Sequence, residues 1–81
     1  MKIAIDYDNT YTADPVLWDA FMKIASSRGH QLKIVTLRNP LTEAISEPLD
    51  VIYTNRFAKY KHYNADVWID DSPRGIYEDS L

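Results

Sequence analysis

Residues 1–15 read M-K-I-A-I-D-Y-D-N-T-Y-T-A-D-P. A short apolar run, Ile3 to Ile5, delivers two aspartates one residue apart, Asp6 and Asp8. Unit charges about 4 Å apart repel by roughly 1 kcal/mol in water, and by about 4 kcal/mol at an effective dielectric near 20. Two carboxylates at the end of a strand therefore need compensation. The pattern returns at residues 66–73, D-V-W-I-D-D-S-P, where an apolar run ends in Asp70 and Asp71.

Between these runs the chain alternates. Residues 2–6 read as a short buried strand. Asp14 is a good N-cap and Pro15 suits a first helical position, so a helix is expected from there to Gly29, a C-terminal stop. Val16, Leu17, Ala20, Phe21, Ile24 and Ala25 recur at helical spacing and are expected to form its one apolar face. Residues 31–36, Q-L-K-I-V-T, read as the second strand and 50–53, D-V-I-Y, as the third. One or two helical turns are expected over 41–46, and a short helix over 57–63, ended by Asn64. Residues 66–70 read as the fourth strand. The tail from Pro73 reads as a turn and a helical fragment.

Strand–helix alternation predicts an α/β fold with a parallel sheet and right-handed crossovers. The expected form is a small Rossmann-like three-layer sandwich of about four strands, order 4-1-2-3, as a single domain over residues 1–81. Sites in such sheets form at the carboxyl ends of strands. Asp6 and Asp8, Thr36 and Arg38, and Asp70 and Asp71 all fall there. Four carboxylates on one edge would repel, and a divalent cation is the simple remedy. Carboxylates, a carbonyl and waters suit Mg²⁺, which also bridges to substrate phosphates.

The bulk composition fits this reading. The chain has 81 residues, 46% hydrophobic and 26% charged, with two glycines and four prolines. It has no cysteine, so disulfides and thiolate chemistry are excluded. The net charge of −3 gives no overall field favouring nucleic acid. No apolar run approaches a membrane span or a signal-peptide core, so a cytoplasmic protein with no membrane partner is expected. A chain this short buries a limited share of its surface, and packing against a second copy would help, which makes a homo-oligomer plausible.

D-Y-D-N-T after strand one, V-T-L-R at strand two, a lysine before strand four and W-I-D-D-S-P after it together resemble the haloacid dehalogenase (HAD) superfamily of phosphotransferases. The likeness spans about residues 2–75 in the family's motif order. It implies an Mg²⁺-dependent phosphatase. Asp6 would be the nucleophile that forms an aspartyl-phosphate, and Asp8 the general acid and then base. Thr36 would hydrogen-bond a phosphoryl oxygen, and Lys59 would balance charge at Asp6. Mg²⁺ would be held by Asp6, Asp71 and the backbone carbonyl of Asp8, with Asp70 binding or supporting it. Asn9, Thr10 and Arg38 are the candidate substrate contacts. The chain departs from the family in lacking a fifth strand, in its very short loop from Thr10 to Asp14, and in having no insertion for a cap. Without a cap the site is expected to be open, or covered by a second subunit. Open sites suit large substrates, including phosphorylated nucleic-acid ends, and a phosphorylated small molecule or nucleic-acid end is the expected substrate. The alternative expectation is a catalytically weak Mg²⁺-binding regulatory or interaction protein.

Blander readings stand beside several of these. Lys59 and Lys61 both lie within reach of the motif; Lys59 is favoured as nearer the helix start, with Lys61 a surface charge. Arg38 is a suitable fork for phosphate or a solvated loop residue. Tyr7 supports the substrate or simply packs. His62 reads as surface, and Trp18 and Trp68 as core or subunit contacts.

Overall fold

The computed structural model describes residues 1–81. Its strands are β1 (Lys2–Ile5), β2 (Gln31–Thr36), β3 (Val51–Tyr53) and β4 (Val67–Ile69), and its α-helices are α1 (Pro15–Ser27) and α2 (Arg74–Tyr77). Single 3-10 turns occupy Tyr11–Ala13 and Lys59–Lys61. No helix is long and apolar enough to cross a membrane.

Ile3, Ala4 and Ile5 are all buried, which is why β1 reads as a continuous apolar run rather than an alternating one. It is a central strand, paired in parallel with β2 on one side and β4 on the other. β3 adds in parallel to the far side of β2. The order is β3-β2-β1-β4 when written from the β3 edge; the sequence reading 4-1-2-3 runs from the β4 edge. The chain steps outward from β1 to β3 and then crosses back to β4. The ends of β1 and β4, where Asp6 and Asp70 lie, therefore flank the reversal in strand order.

Alternation along the strands divides the core between two faces. Ile3, Ile5 and Ile34 pack with Tyr7, Tyr11 and Ala25 on the α1 side. Ala4 and Val35 pack with Tyr63 on the other. That second face has no long helix over it. The helix expected over 57–63 is a single 3-10 turn, so an irregular segment serves as the outer layer. Asn55 and Arg56, at φ 51° and 72°, bend the chain sharply before the turn, and Thr54 Oγ1 donates to the Phe57 carbonyl at 2.7 Å. Residues 41–46 likewise form turns and bends rather than a helix. Asn39 gathers the N–H groups of Leu41, Thr42 and Glu43, and the Ile45 N–H donates to the Tyr53 hydroxyl instead of continuing a helical ladder.

α1 begins and ends as its caps dictate. The Asp14 carboxylate accepts from the Leu17 N–H at 3.2 Å, and Pro15 is the first helical residue. At the far end Gly29, φ 85°, donates to Ser26, and His30 donates to Ala25. This paired closure needs a left-handed residue, which glycine adopts without strain.

The buried face of α1 differs from the expected one. Trp18, Phe21, Met22 and Ala25 pack onto the sheet, while Val16, Leu17, Ala20 and Ile24 are exposed. Apolar residues occupy well over half of the helix circumference, so helical spacing alone does not select the seam. The large side chains of Trp18 and Met22 fill the space above the sheet, and Ala25 permits close approach.

Candidate active site

The strand ends bring four charged groups from three segments together. β1 delivers Asp6, whose N–H is tied to the Ile69 carbonyl of β4 at 2.9 Å. β4 delivers Asp70 and Asp71. The 3-10 turn delivers Lys59, whose ammonium donates to Asp6 Oδ1 and Asp70 Oδ2, both at 2.7 Å. Lys59 is only 2% exposed, whereas Lys61 is on the surface. Residues two apart on such a turn diverge, so only one of the pair can enter the cluster.

Thr10 braces the acids from below. Its hydroxyl lies 3.2 Å from Asp6 Oδ2 and 3.1 Å from Asp71 Oδ1, and it accepts from the Asp71 N–H at 3.1 Å. The sharp turn that brings Thr10 back under Asp6 passes through Asn9, φ 64°, a conformation that asparagine tolerates. Asp70 is fixed separately, with Oδ1 accepting from the Ser72 N–H at 2.9 Å.

Asp6, Asp70 and Asp71 each present one oxygen within 4.8 Å of the others. Octahedral ligands at about 2.1 Å from Mg²⁺ lie about 3 Å apart when adjacent and about 4.2 Å apart when opposite, so small side-chain movements suffice to gather these oxygens. Three carboxylates against one lysine leave net negative charge for a cation to neutralise. Burial pushes the Asp6 carboxyl up to about 6, against the lowering effect of Lys59. These donors, all oxygen and all from hard carboxylates, fit Mg²⁺.

Asp8 faces differently. Its carboxylate takes a two-pronged grip from Arg38, Nε to Oδ2 at 3.0 Å and Nη2 to Oδ1 at 2.7 Å. That grip holds the Asp8 carboxyl below its ordinary value. The Arg38 guanidinium lies 4.9 Å from the Tyr7 ring centroid, and its Nη1 donates to the Glu43 carbonyl. Tyr7 in turn donates to Glu47 at 2.7 Å. The Asp8 side chain is therefore outside the three-acid cluster.

A cleft of about 280 Å³ opens over the cluster, and only one of its 14 lining residues, Leu37, is hydrophobic. Asp6, Asp8, Asn9, Lys59, Asp70 and Asp71 are among its lining residues. Thr10, Thr36 and Arg38 do not line it. Thr36 is buried behind it, its hydroxyl accepting from the Arg38 N–H at 3.3 Å. The lining also includes residues the sequence reading did not select, Arg56 and Arg74 with Glu78 and Asp79. Arg56 is oriented by Glu43, whose two oxygens accept from its Nη2 at 2.9 and 3.0 Å. Its left-handed backbone and a partner 13 positions away leave no periodic signal in the sequence.

Compared with family models, curated proteins and solved structures, the chain matches none.

Proposed function

We propose that the chain is an Mg²⁺-dependent phosphomonoester hydrolase of the HAD type, a capless Rossmann-like domain acting through an aspartyl-phosphate in a cytoplasmic setting. One observation carries the reading. Asp6, Asp70 and Asp71 converge at the ends of adjacent parallel strands, and the Lys59 ammonium bridges Asp6 and Asp70. These are residues the motif resemblance selected, and their proximity supports the reading.

In this mechanism an Asp6 carboxylate oxygen attacks the substrate phosphorus. The new oxygen–phosphorus bond forms as the bond to the leaving oxygen breaks, and Asp8 gives that oxygen a proton. Water then gives a proton to Asp8 and attacks the same phosphorus, which releases inorganic phosphate and restores Asp6. Asp6, Asp70 and Asp71 would hold the cation, which would supply positive charge to offset that of the phosphoryl group. Lys59 keeps Asp6 oriented and offsets charge on the acids. Asp8 must leave Arg38 to take up its proton, and a substrate phosphate is a natural replacement partner for that guanidinium. The polar, open cleft suits a nucleotide or a phosphorylated nucleic-acid end better than an apolar metabolite.

The test is Mg²⁺-dependent phosphate release from sugar phosphates, mononucleotides and 5′- or 3′-phosphorylated oligonucleotides, with Asp6→Asn as control. Release that vanishes with chelator and in the variant supports the reading. The Asp8–Arg38 pair favours a second one, a Mg²⁺-binding regulatory protein whose general acid is neutralised. Folded protein that binds Mg²⁺ but releases phosphate from no substrate would sink the first reading and support the second.

A further inference from the structure

α1 carries apolar side chains on more of its circumference than the sheet covers. Val16 is 80% exposed, Leu17 53% and Ile24 63%. Val16, Ala20 and Ile24 follow one another at intervals of four and form a single row along the helix, with Leu17 beside it. Asp19 and Lys23 border the row on its other side. Lys23 makes no ion pair within the chain, and Asp19 uses one carboxylate oxygen for the Tyr11 hydroxyl, at 2.8 Å. The acids Asp14 and Asp19 lie in the first half of the helix and its cap, and the bases Lys23 and Arg28 in the second half and its cap.

We propose that this face is the contact between two copies of the chain, packed with their α1 helices antiparallel about a two-fold axis near Ala20. A two-fold contact must be self-complementary, and this row is. The axis sets Ala20 against itself, where a small side chain lets the two backbones approach. It sets Val16 opposite Ile24 of the partner subunit, and Ile24 opposite the partner's Val16. It also places Asp19 beside the partner's Lys23, twice over by symmetry. A parallel pairing would set the Asp19–Lys23 edge against the partner's Leu17 edge and form no such pair. Antiparallel packing is thus selected by charge as well as by shape. A contact centred on one helix about 20 Å long is small, so the dimer forms reversibly with concentration. The face is on α1 and shares no residue with the cleft, so the dimer stands or falls apart from the phosphatase reading.

The experiment is sedimentation equilibrium of the full chain across a range of concentrations, with Val16→Glu, Ile24→Glu, Lys23→Glu and the double variant Asp19→Lys/Lys23→Glu. The substituted side chains are exposed, and far-UV circular dichroism checks that each variant folds. The parent's mass should rise toward twice that of one chain. Val16→Glu and Ile24→Glu should remain monomeric. Lys23→Glu should weaken association, and adding Asp19→Lys should restore it. A parent that stays monomeric throughout, whether because the face awaits a different partner or none, overturns the proposal. So does a dimer that survives Ile24→Glu and Val16→Glu, or a double variant no tighter than Lys23→Glu.

Discussion

The Lys59 ammonium lies 2.7 Å from Asp6 Oδ1, a contact between residues 53 positions apart that joins the end of β1 to an otherwise irregular segment. Both side chains are largely buried, and Asp70 completes the triad on the same ammonium at 2.7 Å. Removing one partner of a buried ion pair strands the other charge, at a cost of about 3 kcal/mol or more. Lys59→Met should therefore lower unfolding free energy by about that amount near pH 7, as well as abolishing phosphate release. Urea unfolding checks the first effect. Unchanged stability would mean that the two carboxylates are balanced by something other than Lys59.

Asp6 carries the opposite cost. Its carboxyl, ordinarily at 3.8, is pushed up to about 6, mainly by burial. A carboxyl whose folded value exceeds its unfolded one favours folding while protonated. That contribution is complete below about pH 3.8 and is lost as the pH rises through about 6. Integrated, the gap corresponds to roughly 3 kcal/mol. Asparagine at position 6 cannot ionise. Metal-free Asp6→Asn should then gain stability relative to the parent between about pH 4 and pH 7, by an amount of that order. Added Mg²⁺ should raise the parent's Tm and leave the variant's nearly unchanged. Thermal melts at the two pH values, with and without Mg²⁺, decide it. A variant less stable than the parent at pH 7 without metal would contradict it.

In the proposed mechanism Arg38 acts on the acid step through Asp8. Its two hydrogen bonds hold the Asp8 carboxyl low, and a low value leaves less of the protonated form that the leaving group needs. Arg38→Gln should raise the Asp8 carboxyl toward its ordinary value. The alkaline limb of kcat/KM against pH, which follows loss of that proton, should shift to higher pH. KM should rise at the same time if Arg38 also meets the substrate phosphate. A limb that stays in place would show that Asp8 is already free of Arg38 when the substrate meets the enzyme.

These residues also show what a sequence reveals. The strands were legible because each is a short apolar run closed by a polar residue, and their alternation with helical stretches implied the parallel sheet. Asp6, Asp70 and Asp71 were legible as a group because strand ends share an edge. The inward face of α1 was not, since Trp18 and Met22 compete with Val16 and Ile24 and only the shape of the sheet surface chooses between them. Lys59 could not be separated from Lys61 by spacing, because the segment is one 3-10 turn whose orientation is set by the left-handed Asn55 and Arg56 before it. The Asp8–Arg38 grip and the Glu43–Arg56 pair link loops whose paths follow no period.

Thr10 is the remaining case in which position and role diverge. The sequence reading makes it a substrate contact, but its hydroxyl is turned away from the cleft toward Asp6, Asp71 and the Asp71 N–H. In the proposed metal site a group in that position would orient ligands rather than touch substrate. Thr10→Val keeps the branched shape and deletes the oxygen. The Asp71 N–H then loses its acceptor, and the Asp6 and Asp71 carboxylates lose the one hydroxyl donor they share. Partners that orient metal ligands are commonly worth about 10–100-fold in metal affinity. Calorimetric titration with Mg²⁺ should therefore show weaker binding by about that factor, with phosphate release recovering at high Mg²⁺ and KM for substrate little changed. A raised KM with unaltered Mg²⁺ affinity would return Thr10 to the substrate side of the site. Thr10→Ser, which keeps the oxygen, should stay close to the parent on both measures and so separates the hydroxyl from the methyl.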